Sequence, residues 1–243
     1  AFDENKDFDA LISFRIGACL LSLDRAWEGY VAFRDILDNH KDFEMLSTAT
    51  YYYILTLRAM GRDDEAQQEC KAFLEKYKDD KEKGDELGRV ALLLGQISFD
   101  KGDYRDAIAQ LEWVKGKVGK LPVDVECQID WSVISASFAR CPWGILTEDE
   151  KVYIKGMGKP GYKPKLSQES QKTLALIEDF IKKYKGNPDF KPVIEEMVYR
   201  RALLFFYSTM LPETKEAFDK YIDEFPDGSF IPDAKYRLAV VQN

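Results

Sequence analysis

The chain has 243 residues, 45% hydrophobic and 32% charged, with 35 Lys+Arg against 43 Asp+Glu. That apolar share argues against broad disorder, and a net charge of −8 argues against a nucleic-acid binder working by general electrostatics, since phosphate contacts need clustered cations. No run of about 18 apolar residues occurs, so no transmembrane helix is expected.

In chain order, the apolar spacing predicts helix pairs. Pair one covers 8–23 and 26–40, with Ile16-Gly17 and Leu20 in its first helix and the ending Ile36-Leu37-Asp-Asn-His40-Lys41. Pair two covers 45–60 and 63–78; it turns at Gly61-Arg-Asp-Asp-Glu-Ala66 and ends Phe73-Leu74-Glu-Lys-Tyr77-Lys78. The charged run Lys78–Glu86 reads as a solvated loop. Pair three covers 87–101 and 103–118, with Leu94-Gly95 and Ser98, then Gly102-Asp-Tyr-Arg-Asp-Ala107. Pair four, 123–140 and 168–185, is split by an insertion and ends Phe180-Ile181-Lys-Lys-Tyr184-Lys185. Pair five covers 192–209 and 212–225, with Arg201-Ala202 and Phe205, and ends Tyr221-Ile222-Asp-Glu-Phe225-Pro226. A last helix, 231–242, carries Leu238-Ala239 and serves as a cap or as half a repeat.

The endings recur at intervals of 37, 107 and 41 residues. The long interval resolves into 41 and 66 if a worn copy lies at Val114, which leaves an insertion of about 25–30 residues. Each phrase has a physical role. Gly61 and Gly102 end a helix where φ is positive, and Asp63 and Asp103 cap the next one. Small residues at Gly17, Gly95, Ala66 and Ala107 allow close helix approach. The aromatic near each ending packs beneath the next turn.

These residues resemble the tetratricopeptide repeat, with Leu-Gly, an aromatic, then Ala, Phe and Pro at set spacings. The endings, and the phrase Ser229-Phe-Ile-Pro-Asp-Ala-Lys-Tyr-Arg-Leu-Ala239, are similar to the variant found in bacterial envelope proteins. The signature Trp is missing and the repeats run 37–41 residues rather than 34. The resemblance implies a right-handed, all-α solenoid of about five antiparallel helix pairs over 1–243, with the insertion 141–168 in the fourth. It also implies a periplasmic or cell-envelope setting, with a cytoplasmic one as the alternative.

The first residue is Ala1 and no signal-like region follows, which points to a processed or trimmed form, or to a piece of a longer protein. Cys19, Cys70 and Cys127 read as small buried residues on helices. Cys141 opens a Pro/Gly segment and reads as the most exposed. There is no CxxC and the one histidine, His40, is distant, so neither a metal site nor a cofactor is expected. His40 stands where other copies have Tyr or Phe and reads as a packing residue.

The insertion is rich in Gly and Pro and has no acid over residues 151–165. Trp143, Lys151, Tyr153, Lys155, Lys159, Tyr162 and Lys163 make it a candidate basic, aromatic contact loop; the alternative is a plain surface loop. The repeat register points Tyr51, Arg58, Arg89, Gln96, Tyr199 and Phe206 toward the concave face formed by the first helix of each pair. No GxSxG, no HExxH and no Cys/His pair at useful spacing occurs. The reading is a non-enzymatic scaffold that binds a protein or peptide in that groove, with no nucleic acid. A helical-array enzyme or ligand-binding domain, with 141–168 as a lid, is the second reading. A fragment of a larger protein is the third. Partner identity and oligomeric state are left open.

Overall fold

The computed structural model describes residues 3–118, 121–141 and 164–242. The expected insertion contacts Trp143, Lys151, Tyr153, Lys155, Lys159, Tyr162 and Lys163 lie outside the described residues. Among the described residues there are eleven α-helices and no strand. They are α1 (Asp3–Ser22), α2 (Ala26–Asn39), α3 (Leu46–Ala59), α4 (Asp63–Tyr77), α5 (Gly84–Asp100) and α6 (Tyr104–Lys117). There follow α7 (Val123–Ala139), α8 (Gln168–Tyr184), α9 (Lys191–Tyr207), α10 (Leu211–Glu224) and α11 (Ile231–Gln242). The charged run before α5 is not all loop: Lys81–Lys83 forms a 3-10 turn, with the Asp80 carboxylate accepting from the Glu82 N–H.

The chain divides into two compact units, one reaching Ser132 and the other starting at Val133 within α7. Each is an all-α array of the solenoid class. In the first, every helix from α1 to α5 packs on its successor, and first helices of successive pairs also meet, α1 on α3 and α3 on α5. In the second, α8, α9, α10 and α11 pack in sequence.

One turn recurs between the helices of a pair. Gly61 and Gly102 have φ of 72° and 78°, and the next residue's N–H reaches back to Leu57 O and Ser98 O at 2.9 and 2.8 Å. This closes the end of the first helix in a Schellman-type cap. Asp24 and Thr209 take the same place with φ of 61° and 55°, sending the following N–H to Leu20 O and Phe205 O. A β-branched residue is strained there. Thr209→Gly is therefore expected to stabilise by about 1 kcal/mol, the relief of strain exceeding the extra freedom of glycine in the unfolded chain. A rise in urea midpoint is the measurement; Asp24→Gly should change it little, since Asp tolerates this conformation.

The caps differ from expectation in one copy. Asp103 is an N-cap and accepts from the Asp106 N–H. Asp63 is not: Arg62 holds the cap position and Asp63 is the first helical residue, drawn to Arg58 at 3.0 Å. Its charge still suits the first turn, beside Asp64 and Glu65.

Five residues beyond each turn comes a small side chain, Gly29, Ala66, Ala107 and Thr214, all buried. Thr173 fills that place in α8. Four and seven residues further on lie Phe33/Ile36, Cys70/Phe73, Leu111/Val114, Ile177/Phe180 and Phe218/Tyr221, each at most 2% exposed. This is the core, and it is built by stacking pairs. A Cβ on Gly17 would stand 2.9 Å from the Phe33 ring, and one on Gly95 would stand 3.0 Å from Leu111. Terminal aromatics pair along the helix, Phe73–Tyr77 at 4.7 Å and Phe180–Tyr184 at 4.6 Å.

Two cysteine expectations are reversed. Cys19 is exposed on α1, because it lies on the side opposite Gly17, the residue that meets the Phe33 ring. Cys141 is buried, its sulfur 3.4 Å from Ser137 O and 3.5 Å from Thr173 Oγ1, since the segment leaving α7 tucks against α8. Burial pushes the Cys141 thiol up, and pushes that of Cys70 up to about 12.

Candidate functional site

The first unit brings four expected groove residues onto the stacked helices α3 and α5. Tyr51 sits half-buried in α3, edge-on to Tyr52 at 5.7 Å. Burial pushes its hydroxyl up, and the Arg89 guanidinium across on α5 works against that shift. Arg89 is exposed and donates to Asp85 at 3.0 Å, one helical turn earlier. Asp85 Oδ1, its other oxygen, is enclosed without a hydrogen-bond partner. Two turns along, Arg58 bridges α3 to α5: it pairs with Asp63 at 3.0 Å and with Asp100. Asp100 also accepts from Gln96 at 2.7 Å. Arg58 and Gln96 are thus tied together by an acid that the sequence reading did not single out.

Asp85, Asp100 and Asp63 carry the strip's electrostatics. The signal of Asp85 and Asp100 in the sequence was the four-residue spacing of Asp85–Arg89 and Gln96–Asp100, which puts each pair on one helix face. Trp131 was also missed. It occupies the Tyr51 position of α7, three residues before Ile134, and is half-buried. The insertion hid its register.

In the second unit the expectation for Tyr199 fails. It is 7% exposed, stacks on Phe230 at 4.4 Å and 9°, and donates to Asp233. It is a core residue because α11 closes over it. Burial first, and the bond to Asp233 second, push its hydroxyl up. Phe206 is half-buried under the Arg237 guanidinium, 4.8 Å from its ring centre. Tyr199–Asp233 repeats the relation of Tyr51 to Arg89: the same place in one first helix meets the same place in the next.

Charge separates the units as well. Residues 1–132 hold 18 Lys+Arg against 27 Asp+Glu, a net −9, and residues 133–243 hold 17 against 16. Among the described residues, no helix is long and apolar enough to cross a membrane, and no group of three or more His, Cys, Asp or Glu is placed to hold a metal ion.

Fold and strip together define an all-α helical-repeat protein with a polar, aromatic face along its stacked first helices. No family model and no curated protein matches the chain. Among solved structures it is similar to TTC0263, a thermophilic TPR protein of Thermus thermophilus. The two share 15% identity with a TM-score of 0.42, over 96% of this chain and 98% of that one.

Proposed function

We propose that the protein is a non-enzymatic scaffold whose first unit holds an extended peptide segment of a partner protein along α3 and α5. The observation that carries this reading is the Arg58–Asp100–Gln96 bridge beside Tyr51 and Arg89. It fixes donors, acceptors and an aromatic surface in one row, which suits main-chain amides and alternate side chains of a bound segment. The net −9 of residues 1–132 favours a basic segment. The basic insertion supplies a second contact in this reading, on its sequence alone. The envelope-type repeat endings support a bacterial-envelope setting.

The test is selection of 12-residue peptides on the full chain from a random library, followed by titration. Arg89→Ala combined with Gln96→Ala alters two exposed side chains, so the fold is retained. Affinity for selected basic peptides is expected to fall about tenfold. Lys185→Ala, in the second unit, should leave it unchanged. Peptides that bind equally to the double variant place the site elsewhere.

A further inference from the structure

Three first helices of the first unit carry an apolar side chain at one register place. They are Tyr51 in α3, Leu92 in α5 and Trp131 in α7, 41 and 39 residues apart. Each stands three residues before the place that Ile54, Gly95 and Ile134 share, and each is half-buried. The helices that carry them pack closely. Arg58 of α3 reaches Asp100 of α5, and a Cβ on Gly88 of α5 would stand 2.7 Å from Val125 of α7. Packed helices lie about 8–10 Å apart, so the row repeats at about that interval across the groove.

Carboxylates flank the row. Asp85 and Asp124 lie seven residues before Leu92 and Trp131, on nearly the same helix face and about 10 Å nearer the helix starts. Arg89 is kept charged first by its bond to Asp85, and Asp124 adds to that field from α7. Asp100 lies on the other side, one turn beyond Gln96. With Asp63, four carboxylates stand against the guanidiniums of Arg58 and Arg89, so the strip carries an excess of negative charge.

A stretched chain covers one such interval in three residues, at about 3.1–3.4 Å each. What differs between conformations is where the third side chain points. In a β-strand successive side chains alternate, so residues i and i+3 lie on opposite faces and the middle of the row, Leu92, is missed. Polyproline II has three residues per turn, so i, i+3 and i+6 share one face and meet all three. We propose that the segment held by the first unit is proline-rich and in the polyproline II conformation. A proline at every third place sits on Tyr51, Leu92 and Trp131, with lysine or arginine between. This rests on the reading that the unit binds a peptide segment, and it fixes that segment's conformation and composition. Aromatic faces suit proline rings, and a chain already in this shape loses little freedom on binding. The basic residues between the prolines reach toward Asp85, Asp124 and Asp100, whose charge they complement.

Fluorescence anisotropy of three labelled 12-residue peptides, titrated with the full chain, reads the outcome. The first repeats Pro-Ala-Lys. The second has the same composition with its prolines at alternate places. The third repeats Leu-Ala-Lys, which keeps the period and gives up the polyproline shape. The first is expected to bind at least about tenfold tighter than either of the others. Trp131→Ala and Leu92→Ala should each weaken it about tenfold, with circular dichroism checking the fold. The peptide comparison on the unaltered chain depends on neither variant. If the second or third peptide binds as well as the first, the proposal is overturned. Binding of the first that ignores both variants overturns it too. So does failure of all three peptides while library-selected peptides still respond to the Arg89→Ala/Gln96→Ala variant, and in that case the groove itself stands. If the selected peptides ignore that variant as well, the groove reading fails and this inference falls with it.

Discussion

Replacing Phe33 by Ala is expected to cost the first unit about 3–5 kcal/mol, the range for emptying a buried aromatic site. The ring is fully buried and stacks on Tyr52 at 5.6 Å, so several neighbours lose contact together. The more telling experiment joins it to Gly17. A Cβ at Gly17 would come within 2.9–3.1 Å of three Phe33 ring atoms, so Gly17→Ala forces the ring to move. Overpacking of that kind costs about 1–3 kcal/mol, against about 1 kcal/mol gained by replacing glycine in a helix. In the Phe33→Ala background the obstacle is gone and Gly17→Ala becomes stabilising by about 1 kcal/mol. Urea denaturation of the four proteins measures this reversal of sign. Additive effects would show that the pair does not share one space. Since Gly17 and Phe33 sit on α1 and α2, amide exchange in those two helices should rise before the rest of the unit responds.

That pair shows what the sequence made legible. Twelve residues separate Gly17 from Gly29, Ile54 from Ala66, Gly95 from Ala107 and Ala202 from Thr214, and the same spacing holds through all four turns. Across this register glycine or alanine in the first helix stands opposite Phe33, Leu111 or Phe218, while Ile54 stands opposite the smaller Cys70. The helices, the core endings and Val114 as a worn copy were therefore readable from periodicity. Two turns were not, because Asp24 and Thr209 hold a backbone shape that is usually announced by glycine.

The site was readable only in part, for a related reason. Register tells which residues lie on a given side of a first helix, but not whether the next helix closes over them. Tyr51 and Tyr199 hold equivalent places, yet one is half-exposed beside Arg89 and the other is sealed by Phe230 and Asp233. Identity at the facing position decides this, Arg89 in one case and Asp233 in the other. A similar limit applied to Cys141, where the Pro and Gly that follow suggested exposure but a threonine from α8 meets the sulfur.

In the second unit, a buried hydroxyl sets the behaviour in alkali. Tyr221 is fully buried; its hydroxyl donates to Glu195 at 2.9 Å and accepts from the Phe230 N–H at 3.1 Å. The same carboxylate oxygen accepts from the Ser229 N–H at 2.6 Å, and Gly228 lies so close that a Cβ there would stand 2.6 Å from the hydroxyl. Glu195 thus pins the loop between α10 and α11 to α9. Glu195→Ala should cost about 2–4 kcal/mol by leaving two donors unpaired, and Glu195→Gln, which keeps an acceptor, should cost less. Burial, then the bond to Glu195, pushes the Tyr221 hydroxyl up to about 12. Unfolded, a tyrosine loses its proton near 10. The folded state therefore holds the proton more tightly, and this contribution is complete below about pH 10 and falls away as pH climbs toward about 12. Tyr221→Phe removes that proton. It should lower stability at neutral pH, where the hydrogen bonds are lost, and flatten the decline above about pH 10. Urea midpoints at about pH 8, 10 and 11 separate the two effects; equal slopes for wild type and Tyr221→Phe would move the alkaline response to another group, with Tyr199, also pushed up by burial, the next to substitute.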